Sequence, residues 1–158
     1  MDKHKLLKKV LIIILIVAAG VFLADWAMGK YKFWQETKKV DKLAQALRDI
    51  EKKDYEMAMA DTFGGQTPQE TLEMFIKAVE QGDYELASKY FIIPKQTDEL
   101  ESLKSAPKEN IENVLGLLRQ INMEEGSYNT NGDNYLVRKP ILVEFLLYPN
   151  GVWKIVEI

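Results

Sequence analysis

A run of about 19 residues near the start, residues 10–28 (VLIIILIVAAGVFLADWAM), limits what this chain can become more than any other stretch. Residues 10–24 carry no charge and are mostly Leu, Ile, Val and Ala. Lys8 and Lys9 close the run on one side, Lys30 and Lys32 on the other. At about 1.5 Å rise per residue it gives roughly 28 Å of helix, close to the hydrocarbon thickness of a bilayer. So short a chain has little protein in which to hide such a rod. The expectation is one transmembrane helix over residues 10–29, contacting the bilayer through residues 10–28. Trp26, Tyr31, Phe33 and Trp34 read as an interfacial aromatic belt. Asp25 lies about a turn from the end, where its carboxylate can reach the interface.

The flanking charges set an orientation. Lys3, Lys5, Lys8 and Lys9 favour a cytoplasmic N-terminal tail, residues 1–9, with the rest outside; Lys30, Lys32, Lys38 and Lys39 oppose them. A short tail followed by a full domain is the usual signal-anchor layout. The rival is a cleaved signal peptide, which would make the domain a secreted one. Its apolar region normally runs only about 7–15 residues. Cutting at Ala18-Ala19-Gly20 would leave Val21, Phe22 and Leu23 still to come, and Ala27-Met28-Gly29 follows an overlong run. The chain has no cysteine, which excludes disulfides, thiol chemistry and lipid attachment through sulfur. An exported domain without disulfides and without an Asn-x-Ser/Thr acceptor points to a prokaryote.

Charge is unevenly spread beyond the anchor. Residues 30–56 hold eight bases and six acids, residues 67–158 nine bases and fifteen acids. An acidic domain is a poor partner for phosphate backbones, so nucleic acid is excluded as a ligand. Val40, Leu43, Leu47 and Ile50 recur at spacings of three and four, one apolar stripe on a polar helix. The expectation is a helical stalk and hinge over residues 30–66. Its helix runs from about Phe33 to about Met59, and the hinge is at residues 62–66. The stripe either packs on the chain's own domain or pairs two copies as a short coiled coil.

Residues 67–158 read as one α+β domain. Thr67-Pro68-Gln69-Glu70 is a capping box with proline in the first turn, and Leu72, Phe75, Ile76 and Val79 follow at helical spacing. Gly82 stops that helix and Asp83 caps the next, which buries Leu86, Ala87, Tyr90 and Phe91. Thr97 is placed to cap a short polar helix, and Pro107 to open one with Ile111, Val114, Leu115, Leu118 and Ile121 inside. Past Met123 the period becomes extended. Asn131-Gly132 sits in a hairpin turn, and Ile141, Val143, Phe145 and Leu147 share one apolar face. A last strand follows Asn150-Gly151, with Trp153 and Ile155 sharing a face. Helices first and then an antiparallel meander imply helices packed on a curved antiparallel sheet.

The opening of this region, Thr67-Pro68-Gln69-Glu70 with Phe75, Ala78, Gln81-Gly82-Asp83, Ala87 and Tyr90-Phe91, resembles nuclear-transport-factor-two-like domains. So does its close, Gly151-Val152-Trp153-Lys154-Ile155. That resemblance implies a cone-shaped, cystatin-like α+β fold. Some members are enzymes such as ketosteroid isomerase; others are single-span periplasmic scaffolds of secretion machines.

The residues offer little chemistry. The one histidine, His4, lies in the basic tail, so histidine-based nucleophilic catalysis and most zinc sites are out of reach. The Asn131-Gly132-Asp133 turn lacks the spacing of a calcium loop, and Gly64-Gly65 lacks the Lys and Ser/Thr of a phosphate loop. No catalytic residue, metal ligand or cofactor is expected. A pocket inside the cone would be lined by Phe75, Phe91, Phe145 and Trp153, with Glu144 as its polar member, though a filled core is the simpler reading. The expected role is a membrane-anchored, non-enzymatic domain that binds a protein partner. The alternatives are a small-molecule binder using the cone and an isomerase- or dehydratase-type enzyme.

Overall fold

The computed structural model describes residues 3–158; side chains are described from Ile14 onward, except at 16, 29, 31–33 and 35. Five α-helices and four strands follow in order: α1 (Lys3–Ala60), α2 (Pro68–Glu80), α3 (Tyr84–Lys89), α4 (Gln96–Ser105), α5 (Lys108–Leu118), β1 (Ser127–Tyr128), β2 (Asn134–Val137), β3 (Val143–Leu147) and β4 (Trp153–Glu157). Two compact units divide the chain, Met1–Glu51 and Lys52–Ile158.

The first unit is helical throughout its described length. Val17, Val21, Phe22, Leu23 and Trp26 are exposed, as are Val40, Leu43, Leu47 and Ile50 of the polar half. Lys30 Nζ lies 4.2 Å from the centre of the Trp26 ring, and Lys38 Nζ 3.6 Å from that of Trp34. Each is a cation–π pair one turn along the helix. Among the described residues, no helix is long and apolar enough to cross a membrane. The expected span lies in part outside the described side chains: residues 10–13, Ile16 and Gly29 are not among them, and neither are Tyr31 and Phe33 of the aromatic belt.

The second unit is α+β, with helices packed on a four-stranded antiparallel sheet of order β1-β2-β3-β4. Thr67 Oγ1 accepts from Glu70 N at 3.1 Å, and the Glu70 carboxylate accepts from Gln66 N at 2.7 Å. Together they satisfy donors that open α2, with Pro68 at its first position. Asp83 does the same for α3, accepting from Leu86 N at 2.9 Å. Thr97 does not cap α4. A 3₁₀ turn over Ile93–Lys95 runs straight into that helix, so Thr97 falls within its first turn.

The hairpin closes as its turn residues dictate. Asn129 Oδ1 accepts from the backbone N–H groups of Asp133 and Asn134, and Gly132 takes φ +76°. Tyr128 pairs with Tyr135, Tyr135 with Phe145, and Phe145 with Ile155 across the sheet. A bulge beside Glu144 shifts the β3–β4 register. Beyond β4 the sheet gains a single parallel bridge, Phe91 to Ile155. Ile92 N donates to Ile155 O at 2.9 Å, Ile155 N to Tyr90 O at 2.8 Å, and Trp153 N to Gly65 O at 2.9 Å. Loop backbone thus occupies the edge that β4 would otherwise leave open.

Candidate functional site

Five residues are expected in a cone pocket, and the structure puts four of them into packed core. Phe91 and Phe145 are fully buried, and Phe75 and Trp153 nearly so. Phe75 and Phe91 meet edge to face, centroids 5.5 Å apart, and Trp153 stacks edge-on to Tyr128 at 5.9 Å. With Val137, Val143 and Ile155 they fill the space between helices and sheet. Glu144 is half-buried on β3, and its carboxylate accepts from Asn134 Nδ2 at 2.6 Å. It belongs to a cross-strand hydrogen bond, away from the aromatic cluster.

Sequence reasoning misses the most buried charge in the unit. Lys154 lies on β4 between Trp153 and Ile155, so simple alternation turns it outward. Its side chain is nevertheless fully buried. Nζ donates to Asp61 Oδ2 at 2.8 Å, to Phe63 O at 2.8 Å and to Lys89 O. All three ammonium protons therefore find acceptors. Burial pushes the ammonium pKa below its usual value; the Asp61 hydrogen bond and charge work against that shift. Asp61 also accepts from Gln96 Nε2 at 3.3 Å, and its backbone carbonyl accepts from Asn150 Nδ2. Tyr148 OH accepts from Ile93 N at 3.0 Å at the same end of the sheet.

This clasp fastens the residues read as a hinge. Thr71 Oγ1 donates to Trp153 O at 3.0 Å and accepts from Gly65 N at 2.9 Å. Gly64 has φ +149°, and a Cβ there would stand 2.3 Å from Trp153 O; one at Gly65 would stand 2.4 Å from Glu70 Cβ. The two glycines serve a close approach of backbone to β4 and α2. A legible hint existed: an aspartate just past the end of a long helix, and a lysine set between apolar residues in β4.

The concavity with a binding character lies elsewhere, between α2, α4 and α5. It is a half-open cleft of about 160 Å³ walled by Phe75, Val79, Leu103, Ile111, Val114, Leu115 and Leu118. Glu99, Ser102 and Asn110 supply its polar groups, and Ala106 lies on the wall where α4 ends. None of the lining residues comes from a strand. Half-burial against this wall holds the Glu99 carboxyl above its ordinary pKa; Glu157 and Asp98 add to the effect, and Lys95 opposes it. Lys95 is itself ion-paired with Glu157. Glu99 makes no side-chain hydrogen bond among the described residues. Such a cleft can hold a small apolar body and present one carboxylate to it.

Among the described residues, no cluster of His, Cys, Asp and Glu could hold a metal ion. No protein-family model, no curated protein and no solved structure matches the chain.

Proposed function

We propose that this protein is a single-pass, membrane-anchored, extracytoplasmic interaction domain that acts by tethering rather than by catalysis. The observation that carries the reading is the uncharged stretch of residues 10–24, bracketed by lysines and followed by an acidic folded unit. A bilayer is the solvent that stretch matches in length and polarity. The anchor holds the Lys52–Ile158 unit at the membrane and raises its effective concentration for a protein partner at the same surface. The domain is read as nuclear-transport-factor-two-like, on the motifs at 67–70, 81–83 and 151–155. Two copies would pair along the stalk through Val40, Leu43, Leu47 and Ile50, whose side chains are exposed at helical spacing.

Protease added to intact bacterial cells expressing the full chain tests the reading. A tag at the C-terminus is expected to be lost and a tag at the N-terminus to be protected, with both lost once the cells are opened. Protection of the C-terminal tag in intact cells would overturn the orientation.

A further inference from the structure

We propose that the cleft between α2, α4 and α5 binds a small hydrophobic amine, one ring or a short branched alkyl group carrying a protonated nitrogen. Its size sets the first limit. About 160 Å³ matches the roughly 150 Å³ of an apolar protein cavity that takes up a single benzene ring. Its walls set the second. Phe75, Val79, Leu103, Leu115 and Leu118 present carbon to the occupant, and they do so from helices alone, at the helical margin of the packed core.

Charge sets the third limit. Glu99 faces this space, carries no hydrogen bond among the described residues, and has Asp98 and Glu157 near it. Among the described residues the nearby base is Lys95, already held by Glu157. An ammonium group entering at Glu99 therefore gains a charge-assisted hydrogen bond without displacing a protein partner. A carboxylate of the same size would meet repulsion, and a neutral ring would gain nothing from Glu99. Binding at this cleft requires neither the bilayer anchor nor a protein partner.

The test uses the full chain in detergent micelles, with methyl groups of Leu, Val and Ile observed by NMR. Benzylamine, benzyl alcohol and benzoate serve as probes. Benzylamine is expected to give saturable shifts at Val79, Leu103, Val114 and Leu115, at a concentration at least tenfold below that needed for benzyl alcohol, with benzoate silent. Glu99→Gln is expected to erase the preference for the amine while leaving weak binding of benzyl alcohol. Ala106→Leu, which builds into the cleft, is expected to abolish both. The proposal is overturned if benzylamine gives no saturable shift in the unmodified chain. It is equally overturned if benzoate or benzyl alcohol binds as well as the amine, or if Glu99→Gln leaves the preference intact.

Discussion

Lys154 shows at the scale of one residue how a charge can be buried and held. Its ammonium has a carboxylate and two backbone carbonyls within bonding reach and no contact with water. Such a pair is worth little against a well-packed apolar substitute, but removing one partner strands the other. Lys154→Met is expected to cost about 3–5 kcal/mol in urea unfolding. The double change with Asp61→Leu should cost clearly less than the two single changes added together. Glu99 is the opposite case, a carboxylate with no hydrogen-bond partner among the described residues. Its folded pKa is raised above the ordinary value of about 4.3, so between those two values the folded state holds more protons than the unfolded one. Stability therefore falls as pH rises through that window, and the penalty is fully present above the folded pKa. Glu99→Gln should unfold at higher urea than the parent at pH 7, with the difference closing as pH falls towards about 4.3.

The elements divide into those whose signals are local and those whose signals are not. Thr67, Pro68 and Glu70 announce α2 within four residues, and Asp83 announces α3; each cap forms as read. Thr67→Ala should cost about 1 kcal/mol in thermal or urea unfolding, as caps of this kind do. The hairpin turn at 129–133 and the inward faces of β3 and β4 were equally legible, because strand alternation has a period of two and needs no partner to be read. Lys154 escaped that logic because the acceptors covering its face come from Asp61, Phe63 and Lys89, far away in sequence. The start of α4 escaped because a 3₁₀ turn has no strong signature of its own. The cleft was invisible for a related reason: Val79, Leu115 and Leu118 each read as ordinary core, and only their packing leaves space between α2, α4 and α5. Ala106→Leu adds carbon to that space and should raise the unfolding free energy by about 1 kcal/mol.

For the whole molecule, the compact unit begins at Lys52, ahead of the domain start at 67 read from the capping box. Residues 61–65 contribute Asp61 to Lys154, Phe63 O to the same ammonium and Gly65 O to Trp153 N. A fragment of residues 67–158 lacks all three and leaves Lys154 with a single one of its acceptors. It should show a lower urea midpoint than a fragment of residues 52–158, or fail to unfold cooperatively at all. The proposed tethering requires residues 10–28 to stay in lipid. Alkaline carbonate extraction of membranes from cells making the full chain, tagged at its first residue, measures that directly. The tagged, full-length chain should remain in the membrane pellet and leave it only with detergent. Recovery of the tagged, full-length chain in the carbonate supernatant would contradict the account.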